Sequence, residues 1–109
     1  MKRYGSMIGL RPEAIAEYKR LHAAVWPDVL KQIENSNIRN YTIFLREPEN
    51  VMFAYYEYVG TDHDADMAER AKDARTQEWW AVCSPLQKPL DTRAEGEWWA
   101  GLEEVFHTE

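Results

Sequence analysis

Ile38-Arg39-Asn40-Tyr41-Thr42-Ile43-Phe44-Leu45-Arg46-Glu47-Pro48-Glu49-Asn50-Val51-Met52-Phe53-Ala54-Tyr55-Tyr56-Glu57-Tyr58-Val59 reads as two strands joined by a turn. Over residues 38–46 the side chains alternate. Arg39, Tyr41, Ile43 and Leu45 fall on one face; Asn40, Thr42, Phe44 and Arg46 fall on the other. That period of two belongs to a half-buried strand. Glu47-Pro48-Glu49-Asn50 carries turn chemistry, and residues 51–59 are rich in Val, Phe and Tyr, which suit a pleated surface. A hairpin over 38–59 follows.

Upstream, residues 2–10 read as a strand, with Tyr4, Ser6, Ile8 and Leu10 on one side and Met7 on the other. Pro12 suits a first helical turn, where no amide donor is needed. Ala14, Tyr18, Leu21 and Val25 then recur at helical spacing. Trp26-Pro27 stops that helix and opens a second with Val29, Leu30 and Ile33 inward, ended by Asn35-Ser36-Asn37. Downstream, 63–75 reads as a charged helix and Gln77 to Cys83 as a further helical piece. Pro85, Pro89 and Gly96 mark a long connection, and Leu102 to His107 reads as a final strand. The order strand, broken helix, hairpin, helix, strand predicts an α+β domain of the split β-α-β, ferredoxin-like type. Helices on one face leave the other sheet face bare and aromatic, so a homodimer joined sheet on sheet is expected.

The 109 residues set the expectation of one domain spanning 1–109. Apolar residues make up 45% of the chain, too many for a disordered one. A net charge of −6 lacks the cationic field that nucleic-acid or anionic-membrane binding needs, so neither partner is expected. The single cysteine, Cys83, cannot form an internal disulfide, and a reducing cytoplasm fits it. No basic segment followed by an apolar stretch opens the sequence, so no signal peptide is expected. Five Trp and six Tyr exceed what so small a core needs, which points to a ligand pocket or a subunit interface.

Tyr18 and His22 are the chemical candidates. Four residues apart on a helix, they share a face with about 5–6 Å between Cβ atoms. An imidazole gives and takes protons near pH 7. Tyr41 lies on a strand that must pack near this helix. Trp79-Trp80 are adjacent on a helix and point about 100° apart, so one indole packs inward while the other edges a cavity. Indole stacks on the C–H face of a sugar, and phenol and imidazole bond its hydroxyls. A Trp-Tyr-His pocket therefore suits a monosaccharide. Taken singly, each tyrosine reads as readily as a core or rim residue.

His63 sits among Asp62, Asp64 and Asp66 at a helix start, where acids complement the dipole. Alternating acids on a helix do not converge, so no metal site is expected. Cys83 has neither a neighbouring histidine nor a Cys-x-x-Cys partner, which argues against a nucleophile. There is no phosphate-cradling glycine loop, nucleophile elbow or dinucleotide fingerprint.

The stretch Glu17-Tyr18-Lys19-Arg20-Leu21-His22 through Trp26-Pro27, with Asn40-Tyr41, Val51-Met52-Phe53-Ala54, Trp79-Trp80 and Leu102-Glu103-Glu104-Val105-Phe106, resembles the L-rhamnose mutarotase family. The resemblance implies a dimeric ferredoxin-like α/β-barrel that interconverts pyranose anomers of a 6-deoxy-L-hexose without metal or cofactor. It matches His22 to the proton donor, and Tyr18, Tyr41, Trp79 and Trp80 to sugar-contacting positions. The segment from Pro85 to Trp99 is more similar to the family branch linked to L-fucose, whereas Trp79-Trp80 is rhamnose-like. Mutarotation needs a base at the anomeric hydroxyl and an acid at the ring oxygen. The second proton-handling group stays open between Tyr18, Tyr41 and a bound water. Two other readings predict different observables. A non-catalytic deoxysugar-binding domain would bind without speeding anomer exchange. A small cofactor-independent or haem monooxygenase of the same barrel type would take up oxygen or bind haem.

Overall fold

β1 (Lys2–Leu10) is the strand around which the computed structural model, describing residues 1–109, is organised. On one side it pairs antiparallel with β3 (Val51–Tyr58), which pairs in turn with β2 (Ile38–Arg46), the other arm of the hairpin. On its other side it takes two short strands, β4 (Gln87–Lys88) opposite Gly9 and Leu10, and β5 (Ala100–Leu102) opposite Gly5 to Met7. The sheet order β2-β3-β1-β4 is the ferredoxin-like one expected. The fourth strand position is thus shared by two pieces. The predicted strand from Leu102 to His107 is corrected: pairing ends at Leu102, and residues 103–109 carry no regular structure.

One face of the sheet carries α1 (Ile15–His22), α2 (Pro27–Asn35), α3 (His63–Lys72) and α4 (Ala74–Cys83). Ile8, Leu10 and Met52 from that face pack against Tyr18, Val29, Trp79 and Cys83 from the helices. Each such apolar side chain contributes about 1.5–3 kcal/mol by leaving water. Pro27 opens α2 with no donor to waste. Asn37, at φ 64°, closes its end in the left-handed region that asparagine tolerates.

The helix expected over 63–75 breaks at Asp73. Its carboxylate accepts from the Thr76 amide (2.9 Å) and hydroxyl (2.8 Å), which caps a new helix and starts α4 at Ala74 rather than Gln77.

A second correction concerns the hairpin. Asn40 and Tyr41 together oppose Tyr56, a β-bulge with Asn40 at φ 52°. The extra residue shifts the alternation by one. Ile38 therefore shares the helix-covered face with Tyr41, Ile43 and Leu45, while Arg39 pairs with Glu57 on the opposite face. That opposite face is uncovered: Phe44 and Phe53 sit directly across from each other, 64% and 41% exposed. No helix is long and apolar enough to cross a membrane.

Candidate active site

Between the helices and the helix-side face of the sheet lies a cavity of about 720 Å³, lined by 16 residues of which 12 are hydrophobic. Its size and apolar character are those of a small-molecule site. Tyr18, His22, Tyr41, Trp79 and Trp80, the five residues singled out in the sequence, all line it. Five further residues of its wall escaped the sequence reading: Arg70, Ser84, Gln87, Trp98 and Trp99. No carboxylate lines the cavity.

α1 brings Tyr18 and His22 together. Their rings stack with centroids 4.1 Å apart and planes 19° apart, as four-residue helical spacing dictates. Trp79 meets the imidazole edge-on at 5.2 Å, and Trp26 meets Trp79 in the same way at 5.1 Å. The Arg75 guanidinium lies 3.8 Å over Trp26 and anchors the outer end of this aromatic row.

His22 Nδ1 lies 2.9 Å from the Tyr18 carbonyl oxygen. A carbonyl only accepts, so Nδ1 carries the hydrogen. Burial pushes the His22 pKa below its usual 6.5, against the opposing pull of that backbone bond. At pH 7 the ring is therefore neutral, and Nε2 presents a lone pair.

Burial raises the Tyr18 pKa, and the hydrogen bond from Gln87 opposes the rise. Gln87 Nε2 donates to the Tyr18 hydroxyl at 3.0 Å, while the Trp98 indole donates to Gln87 Oε1 at 2.7 Å. Tyr41 reaches the cavity because the bulge turns it there. Its pKa is also raised by burial, with the Arg70 guanidinium beside it opposing the rise. Arg70 lies 5.4 Å over Trp80, and its buried Nε has no hydrogen-bond partner. Trp79 is buried in the core, whereas Trp80 is half-buried at the cavity wall. Burial pushes the Cys83 thiol up to about 11, so it is protonated and unreactive at pH 7.

The other candidates lie elsewhere. His63 stacks on Tyr4 at 4.1 Å and pairs its Nε2 with the Tyr56 hydroxyl at 2.6 Å. Asp62 caps α3, and Asp66 bonds Tyr58 and Asn37. No group of three His, Cys, Asp or Glu side chains converges as a metal-ligand set. Arg70 was missed because nothing in a run of charged helical residues marks one as inward. Gln87 and Trp98 were missed because their strand and loop have no periodicity; the only available signal was a tryptophan pair, Trp98-Trp99, in an otherwise polar connection.

The family model described as L-rhamnose mutarotase matches residues 3–108. The chain is 30% identical to an L-rhamnose mutarotase of Oceanobacillus iheyensis and 32% identical to one of Lactiplantibacillus plantarum, each match covering 98% of both chains. Its fold superposes on the crystal structure of an L-rhamnose mutarotase from Formosa agariphila with a TM-score of 0.79 at 22% identity, over 100% of both chains.

Proposed function

The chain belongs to the L-rhamnose mutarotase family, and on that premise we propose that it interconverts the α and β pyranose anomers of a 6-deoxy-L-hexose, L-rhamnose or L-fucose, by acid–base ring opening. The observation that carries this reading is the placement of the His22 imidazole. Its Nδ1 hydrogen is tied to the Tyr18 carbonyl, and its ring forms part of an apolar cavity wall.

In the opening step His22 Nε2 takes the proton of the anomeric hydroxyl. The oxygen lone pair becomes the second C–O bond, the bond from the anomeric carbon to the ring oxygen breaks, and its electron pair leaves on the ring oxygen, which takes up a proton. Rotation about the adjacent carbon–carbon bond presents the other face of the aldehyde. The steps reverse, and His22 returns its proton to the new anomeric oxygen. His22 is thus the base on opening and the proton donor on closing. Nothing is oxidised, and no cofactor or metal enters the balance.

Tyr18 and Tyr41 offer hydroxyls to the sugar, and Trp79 and Trp80 offer flat apolar surface that excludes water and holds the ring in register. A positioned acid–base pair contributes roughly 10²–10⁴-fold, which is sufficient for a reaction that free sugars already undergo slowly. The uncovered sheet face with Phe44 and Phe53 supports a homodimer. The buried free thiol of Cys83 suits a reducing cytoplasm.

Saturation-transfer NMR over a panel of free aldoses tests the reading. L-Rhamnose or L-fucose should exchange anomers measurably faster with the protein than without it. Binding of a deoxysugar with no acceleration would identify a sugar-binding domain instead.

A further inference from the structure

We infer that Gln87 and Trp98 set the direction of the hydrogen bond at Tyr18, forcing its hydroxyl to donate into the cavity, where it is the acid for the ring oxygen. The inference rests on the ring-opening reaction proposed above and names the proton-handling group that His22 needs as its partner.

The reasoning is one of donors and acceptors. The indole Nε1–H of Trp98 can only donate, and it lies 2.7 Å from the Gln87 side chain. The atom facing it must be the carboxamide oxygen, because the flipped amide would set an N–H against an N–H. The carboxamide nitrogen then faces Tyr18 at 3.0 Å, and an NH₂ group also only donates. The Tyr18 oxygen is therefore the acceptor, and its own hydrogen must go elsewhere. The hydroxyl donates to no group of the protein, and Tyr18 lines the cavity, so that hydrogen is free for a ligand.

The chain of three is held rigidly. Gln87 is 5% exposed and is fixed by β4 pairing, opposite Leu10 of β1. Trp98 sits in a loop fastened by Glu97, whose carboxylate accepts from the amides of Ala94 (2.9 Å) and Gly101 (3.1 Å).

The anomeric hydroxyl and the ring oxygen are on one carbon, and Tyr18 and His22 stack side by side at one wall, so an acid and a base reach both oxygens together. On opening, the anomeric proton goes to His22 Nε2. The electron pair of the breaking ring bond goes to the ring oxygen, which takes the Tyr18 proton. The phenolate left behind receives the Gln87 hydrogen bond and lies against the imidazolium, so the two transient charges offset each other. On closing, both protons return by the same routes, and the protein is unchanged.

Gln87→Glu tests the direction. An ionised carboxylate accepts from both neighbours, so the Tyr18 hydrogen turns away from the sugar. Expected is a kcat about tenfold or more below wild type at pH 8 with KM little changed. Measured against wild type at the same pH, the deficit should narrow as pH falls and the carboxyl takes up a proton, a pH-dependent ratio that a change in packing alone would not give. Trp98→Phe frees the carboxamide to rotate and should lower kcat by less, with the wild-type pH profile. If the Gln87→Glu variant does not fold, Gln87→Met carries the test: it removes the donor that would stabilise the Tyr18 phenolate, so kcat should fall with KM little changed. An active wild type whose Gln87 variants keep its kcat and pH profile, or change KM alone, overturns the inference. A wild type that exchanges no aldose overturns the proposed reaction, and the acid role with it.

Discussion

Replacing His22 with phenylalanine separates the chemistry of the ring from its packing. Phe keeps an aromatic face against Tyr18 and an edge against Trp79, the two contacts at 4.1 and 5.2 Å. It loses the Nδ1–H bond to the Tyr18 carbonyl, a net cost of about 1 kcal/mol, and it loses the Nε2 lone pair. For a domain of this size that stability change lowers Tm by about 4–8 °C. Removing the base should cost about 10²–10⁴-fold in anomer exchange, or roughly 2.7–5.5 kcal/mol of barrier. The activity loss should therefore far exceed the stability loss, while sugar binding stays within about fivefold, since less than about 1 kcal/mol of wall contact changes. Saturation-transfer NMR gives the exchange rate, a thermal melt gives Tm, and a titration with L-rhamnose gives binding. Exchange within about threefold of wild type in a folded variant would refute the proton-handling role. A loss appearing only as weaker binding would make His22 part of the wall and nothing more.

The pH dependence of the wild type follows from the depressed pKa of His22. Activity should hold from pH 8 down to about 6.5 and fall below it, as the folded imidazole protonates and can no longer accept. In the unfolded chain His22 takes a proton near 6.5, but in the folded chain only at lower pH. Between those values the unfolded state binds more protons, so stability should fall as pH drops through that window; urea midpoints for wild type and the His22→Phe variant, which lacks this contribution, measure it. Gly9→Ala should loosen β4, because a Cβ there would stand 2.5 Å from the Lys88 carbonyl oxygen. A backbone shift of that kind costs about 1–3 kcal/mol, and it should also lower kcat by displacing Gln87, as a melt and the exchange assay would show. Phe44→Arg places a charge opposite Phe53 on the uncovered face and should shift a homodimer toward monomer by sedimentation; an unchanged mass would assign the contact to another surface.

How much was legible differs from element to element. The alternation over 38–46 and the turn at 47–50 made the hairpin readable, because a half-buried strand imposes a period of two on its own sequence. Tyr18 and His22 were placed together for the same kind of reason: helical geometry alone stacks residues four apart. Pro27 and Asn37 marked the ends of α2 through their own backbone preferences. The bulge at Asn40 was not legible, since asparagine tolerates a positive φ without requiring one, and only the partner strand shows that two residues oppose one. The break at Asp73 turned on a cap that competes with continuing the helix.

Local periodicity, then, was sufficient to place β1, the hairpin strands, the first two helices and the pair of rings on α1, because those depend on residues within one or two turns of each other; it missed β4 and set the last strand beyond its pairing. Tertiary structure decided which way Tyr41 faces, that Arg70 turns inward, and that Gln87 and Trp98, 69 and 80 positions beyond Tyr18, complete its hydrogen bonding. Those outcomes depend on donors and acceptors meeting across the fold. A hydrogen bond between distant residues leaves no repeating trace along the chain.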